Sequence, residues 1–270
     1  MKKVLAGLGV VAVVGLQSGE PALAGTICTM LADASTGNVL LEQGDCQHRV
    51  TPASTFKLAL AVMGYDSGFL TGPHAPVQEI RAGDPDWGGE AWRQPTDPTR
   101  WLKYSVVWYS QRITHVLGAS RLTAYAKAFG YGNADFSGDS GKNNGLDRAW
   151  IMSSLAISPA EQITFFGKLL NRQLPVAPQV FDEVFQIVEQ LPPAEGWVIH
   201  GKTGAAFPHL PDGGFDEAHG YGWYVGWATK GDRTLIFARL IQDEAKLPGT
   251  PGIRARDAFV KELPTLIALK

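Results

Sequence analysis

The sequence is poor in the residues that metal and redox chemistry would need. It has two cysteines and six histidines, His48, His74, His115, His200, His209 and His219. No pair of histidines has the H-x-H or H-x-x-x-H spacing that sets two imidazoles on one ion, so a zinc hydrolase is disfavoured and no metal site is expected. Excess charge of either sign is also missing, with 24 Lys and Arg against 26 Asp and Glu and a net charge of -2. The basic residues are scattered, which leaves no electrostatic footprint for nucleic acid or an anionic membrane. Beyond the N-terminus no apolar run reaches the roughly eighteen residues of a membrane span. There is no repeat and no low-complexity block. What remains is an ordinary globular chain whose expected partner is a small molecule.

The N-terminus reads as a secretory signal. Met1-Lys2-Lys3 precedes an apolar run from Val4 to Leu16, and Ala22-Leu23-Ala24 supplies an A-x-A cleavage site before Gly25. No cysteine sits at the cut, so no lipid anchor is indicated. The expected division is a signal peptide over 1–24 and one domain over 25–270, exported to an oxidising compartment. Two strand-like segments flank a Thr36-Gly37-Asn38 turn, which predicts a hairpin. A turn centred near Gly37 sets Cys28 almost opposite Cys46, and the pair is expected to form a disulfide.

Further along, Thr71 to Thr99 is rich in Gly, Pro, Asp and Trp, without a period, and reads as a long loop packed by its own aromatics. The pattern predicts helices over 101–117 and 119–129, the second stopping at Gly130. Another loop is expected over 133–147. Ser158-Pro159-Ala160-Glu161 is a capping box opening a helix. Strands are expected from Trp197, over Tyr221 to Thr229 and over Arg233 to Ile241, then a closing helix from about Ile253 that Pro264 should kink or interrupt. The order implies an α+β fold, with an antiparallel sheet built from both chain ends and a helical insertion over roughly 70–190.

Within that order Ser54-Thr55-Phe56-Lys57 puts a hydroxyl and an amine three residues apart, on one helical face. The run Leu58 to Met63 is apolar on every side, so this helix belongs in the core. Burial drives a lysine toward its neutral, basic form, which makes Lys57 a candidate base beside a candidate nucleophile. An isolated S-x-x-K more often reflects a helix start with a solvated lysine. Here it is followed, in order, by Ser105-Val106-Val107, Tyr131-Gly132-Asn133 and Lys202-Thr203-Gly204.

With these four motifs the chain resembles the class D serine β-lactamases, and the resemblance runs over nearly all of the mature chain. It also takes in Pro52-Ala53, Tyr104, Trp108 with Gln111, Ala149-Trp150, Leu155 to Pro159 with Gln162, and His200-Gly201. The resemblance implies a serine β-lactamase and penicillin-binding-protein fold and the following roles. Ser54 is the nucleophile that forms the acyl-enzyme. Lys57 reacts with carbon dioxide to become a carboxylysine, the general base, so dissolved carbon dioxide or bicarbonate is needed and no other cofactor. Phe56, Val107 and Trp150 supply the apolar surround, and the Trp150 indole can donate to the carbamate. Ser105 relays protons to the leaving nitrogen. Lys202 and Thr203 face the substrate carboxylate, and the backbone N–H groups of Ser54 and Ala205 form the oxyanion hole. An arginine at the start of the last helix is expected to grip the same carboxylate, with Arg254 preferred to Arg256. Tyr131-Gly132-Asn133 is read as structural. His200 is read as a packed residue.

The resemblance further implies a β-lactam substrate, antibiotic resistance and the periplasm of a Gram-negative bacterium. A β-lactam sensor domain and a penicillin-binding D,D-peptidase share much of this logic and stand as alternatives. The oligomeric state, a homodimer included, is not legible.

Overall fold

The computed structural model describes residues 24–268. Apart from Ala24, the expected signal peptide lies outside the described residues. Five strands form one antiparallel sheet in the order β2-β1-β5-β4-β3. They are β1 (Gly25–Asp33), β2 (Val39–Gly44), β3 (Val198–Ala206), β4 (Tyr221–Lys230) and β5 (Arg233–Gln242). The chain ends thus meet as expected, because β1 pairs with β5 from Gly25↔Gln242 to Asp33↔Leu235. The Cys28–Cys46 disulfide is present, both residues being buried.

The period-two pattern of β4 and β5 decides what covers each face of the sheet. Trp223, Val225, Trp227, Ile236, Ala238 and Leu240 join the large core shared with the helices. The alternate residues, including Tyr224, Ala228, Leu235, Phe237 and Ile241, pack beneath the C-terminal helix with Phe259 and Leu263. Between β2 and β3 lie a 3₁₀ turn (Ala53–Thr55) and α1 (Phe56–Asp66), α2 (Glu90–Arg93), α3 (Pro98–Tyr104), α4 (Val107–Phe129), α5 (Gly145–Arg148), α6 (Pro159–Leu170) and α7 (Gln179–Ile187). The chain then returns through β3, β4 and β5 to α8 (Pro251–Ala268).

Helix α1 is buried from Phe56 through Tyr65, as its all-round apolar sequence requires. The capping box holds in full: Ser158 Oγ accepts from Glu161 N at 3.2 Å and Glu161 Oε2 accepts from Ser158 N at 2.9 Å. Other expectations need correction. The helix expected over 101–117 is two helices, because Ser105 is left-handed (φ 55°) and Val106 extended. The first of them begins at Pro98, capped by Asp97, whose carboxylate accepts from Arg100 N at 2.7 Å. The expected break between 117 and 119 is a non-helical Gly118 inside α4 (φ 73°, ψ 159°). Helix α8 runs on through Pro264 without interruption. Helix α7 has no counterpart in the sequence reading, although Val180, Phe181, Val184 and Ile187 are buried at helical spacing.

Candidate active site

The 3₁₀ turn carries Ser54 to the floor of a cleft, held there by a buried network. Thr55 Oγ1 donates to Pro52 O at 2.6 Å and accepts from Gln162 Nε2 at 2.9 Å. One turn on, Lys57 Nζ lies 3.2 Å from Ser54 Oγ. Lys57 is fully buried. Burial first, and the charge of Lys202 second, hold its pKa well below the usual lysine range, which favours the neutral amine.

Ser105 arrives from the link between α3 and α4. Its left-handed backbone turns the hydroxyl to Lys202 Nζ, which donates to Ser105 Oγ at 2.6 Å and to Thr203 O at 3.2 Å. Burial also lowers Lys202, to about 8; Glu189 pulls it upward and Arg256 pushes it down. Two serine–lysine pairs therefore share one site, each lysine buried and each bonded to a hydroxyl. Ala53 (φ 49°) and Ser105 are both non-glycine residues in the left-handed region, and such backbone persists only where surrounding contacts enforce it.

The cleft has a free volume of about 430 Å³. One wall is β3 and the start of α8, through Thr203, Gly204, Ala205, Thr250 and Gly252. Ser54, Ser105 and Val107 also line it. Gly204 permits the close approach of β3 to the nucleophile turn, since a Cβ there would lie 3.0 Å from Pro52 O. Trp150 is fully buried, its ring 5.5 Å from that of Phe56, and its indole Nε1 has no hydrogen-bond partner among the described residues. An unpartnered buried donor is costly, so it marks a place for an acceptor.

Arg254 departs from expectation. Its Nε donates to Asp243 Oδ1 at 3.1 Å and its Nη2 to Asp243 Oδ2, with the aspartate side chain wholly buried. The guanidinium is therefore turned to the end of β5 and does not line the cleft. Arg256 follows Gly252 by one turn of α8 and acts electrostatically on Lys202, while its Nε donates to Asp257 Oδ1 at 2.8 Å. His200 is packed, its ring stacked on Trp227 with centroids 5.0 Å apart.

Sequence reasoning missed two supporting residues, Thr51 and Asp243, and gave a third, Gln162, no role. Thr51 Oγ1 donates to Trp150 O at 2.9 Å and accepts from Met152 N at 3.1 Å, so it ties the tryptophan to the nucleophile segment. Gln162 appeared only as part of a resemblance, and Asp243 not at all. None has a local pattern that could have announced it; Thr51 and Gln162 are defined by partners 99 and 107 residues away, and Asp243 by one on the next element, 11 residues on. Among the described residues no group of three or more His, Cys, Asp or Glu is placed to hold a metal ion.

Residues 27–265 match the family model described as the penicillin binding protein transpeptidase domain. The chain is 45% identical to β-lactamase OXA-9 of Klebsiella pneumoniae over 90% of this chain and 89% of that protein. It is 33% identical to β-lactamase OXA-1 of Escherichia coli over 88% and 84% respectively. Among solved structures, the class D β-lactamase OXA-427 superposes with a TM-score of 0.82 at 47% identity, covering 90% of this chain and 99% of that one. The order of motifs, the antiparallel sheet and these likenesses over nearly the full length agree: the chain belongs to the penicillin binding protein transpeptidase family, among its class D β-lactamases.

Proposed function

We propose that the protein hydrolyses β-lactams through an acyl-enzyme on Ser54 and so confers resistance to them. The observation that carries this reading is the fully buried Lys57, favoured as a neutral amine and 3.2 Å from the Ser54 hydroxyl. In acylation Ser54 Oγ bonds to the lactam carbonyl carbon, the ring C–N bond breaks, and the Oγ proton passes to the carbamate that Lys57 would carry, which sheds it before deacylation. The ring nitrogen takes a proton from Ser105 Oγ, which Lys202 can replenish. Backbone N–H groups of Ser54 and Ala205 receive the oxyanion. Lys202 and Thr203 bind the ring carboxylate, with Arg254 already committed to Asp243.

Deacylation needs a base that is still present when Ser54 is esterified. The site suits a Lys57 carbamate: the unpartnered Trp150 indole is the donor that would hold it, joined before acylation by the Ser54 hydroxyl. Carboxylated, Lys57 would supply a carboxylate-like base to the hydrolytic water. Carbon dioxide or bicarbonate is then the sole auxiliary species.

Export completes the reading. The signal over 1–24 and the Cys28–Cys46 bridge suit a single domain working in the periplasm of a Gram-negative bacterium. No described helix is long and apolar enough to cross a membrane.

The test is turnover of benzylpenicillin with and without bicarbonate, paired with ¹³C NMR of protein in ¹³C-bicarbonate. The expected result is multiple turnover that slows on degassing and recovers with bicarbonate, with a carbamate resonance lost in Lys57→Ala. A single stable acylation in bicarbonate would instead assign the chain to the sensor or peptidase class.

A further inference from the structure

One wall of the cleft remains without a role in the chemistry above. It is aromatic and built in layers. Trp87, 65% exposed, packs its ring on Trp92 with centroids 5.4 Å apart. The Trp92 indole N–H donates to Tyr104 O at 2.8 Å, which fastens this loop to the end of α3 one residue before Ser105. A large exposed tryptophan held in this way is an apolar surface offered to a ligand, because its exposure costs free energy that nothing in the fold recovers.

The loop's own carboxylates, Asp86 and Glu90, face Arg93, and among the described residues Lys103 is the one charged side chain that lines the cleft. Lys103 lines the cleft beside Tyr104, its Nζ 5.4 Å from the ring centroid, and Arg100 sits over the same ring at 4.6 Å. Neither cation has a carboxylate partner among the described ion pairs, and no acidic residue lines the cleft. Behind it Lys202 adds a further positive charge near Ser105. A cleft bounded by an aromatic plate and an unpaired lysine favours an aromatic anion over an aromatic cation.

We infer that Trp87 and Lys103 form a specificity subsite for the β-lactam's acyl side chain, selecting an aryl group that carries a negative charge next to it. Resting on the lactamase reading, this names the substrate class the site prefers. Three penicillins with one aryl group isolate the effect: benzylpenicillin, its α-carboxy derivative (carbenicillin) and its α-amino derivative (ampicillin). The ring carboxylate is common to all three and cancels in ratios of kcat/KM.

The experiment measures those ratios at low ionic strength for the wild type, Lys103→Ala, Lys103→Glu and Trp87→Ala. For Lys103→Ala the carbenicillin to ampicillin ratio should fall about two- to fivefold, the size of an exposed ion pair, and further for Lys103→Glu. The change should shrink with added salt. Trp87→Ala should raise KM for benzylpenicillin more than for a methyl-side-chain penicillin, chiefly through lost aryl contact. Ratios that stay fixed in both Lys103 variants overturn the inference, as does an equal loss on all three penicillins, which would place Lys103 on the ring carboxylate. A wild type that turns over none of them overturns the lactamase reading itself, a result distinct from turnover with unchanged ratios.

Discussion

Lys202 Nζ lies 2.6 Å from Ser105 Oγ, joining strand β3 to the left-handed link between α3 and α4 across 97 residues of sequence. Through this bond two halves of the cleft wall, the α3–α4 link and β3, are joined around Ser54. Neither half is complete alone.

Ser54→Ala should abolish covalent labelling by a penicillin and leave the fold intact. The one hydrogen bond described for its side chain is accepted from Lys57 Nζ at 3.2 Å, so the stability change should stay within about 1 kcal/mol. Intact-mass spectrometry after incubation with benzylpenicillin reads the label, and labelling that survives would move the nucleophile elsewhere.

Lys57→Met should stabilise the protein while abolishing turnover. The folded pKa of Lys57 lies below its unfolded value near 10.5, so between the two values the unfolded chain binds a proton that the folded chain does not. The wild type therefore gains stability as pH rises through that window, and the gain is complete above 10.5. In bicarbonate-free buffer at pH 7 the variant should be more stable by about 0.5–2 kcal/mol, with the advantage shrinking toward pH 10. Urea unfolding at both pH values measures it; a variant less stable at pH 7 would show that Lys57 is not buried neutral.

Arg254→Ala should act on stability more than on substrate binding. It leaves the buried Asp243 carboxylate without its fork, a loss of about 2–3 kcal/mol for a pair that is partly solvated on the arginine side. Adding Asp243→Asn should restore much of it, since no buried charge then remains unpaired. A large rise in KM in a variant of unchanged melting temperature would return Arg254 to the substrate carboxylate.

Gly132→Ala should disturb the site from a distance. Gly132 has φ 56°, and a Cβ there would lie 2.1 Å from Ala156 O. Asn133 next to it holds the same segment, its N donating to Ala156 O at 3.0 Å and its Oδ1 accepting from Ala156 N at 3.0 Å. We expect a loss of about 2 kcal/mol or more in thermal unfolding, with Asn133→Ala weaker. Full stability in Gly132→Ala would show that this turn can relax.

Reduction should weaken the N-terminal hairpin. The Cys28–Cys46 bridge closes a separation of 18 residues, and replacing both cysteines with alanine should cost about 3 kcal/mol in the chain-entropy account. Denaturant unfolding of the double variant decides it.

By itself the sequence determined the features that depend on near neighbours. The S-x-x-K spacing fixed one helical face for Ser54 and Lys57, the all-apolar run after it buried α1, and the Ser158–Glu161 box set the start of α6. The hairpin brought Cys28 close to Cys46, although a bulge at Leu31/Ala32 pairs Cys28 with Gly44 and leaves Cys46 two residues beyond the end of β2. Tertiary structure decided what depends on distant partners. The left-handed break at Ser105 interrupts an otherwise good helical pattern, and local propensity gives no account of it; it exists where β3 brings Lys202 to the hydroxyl. Two arginines two residues apart on α8 look equivalent in sequence, yet Asp243, just past the end of β5, claims Arg254, while Arg256 pairs with its neighbour Asp257 and only lowers the Lys202 pKa through its charge. Long-range charge pairing and backbone strain carry no period, so only the assembled chain reveals which side chain is spent on the fold and which is left for chemistry.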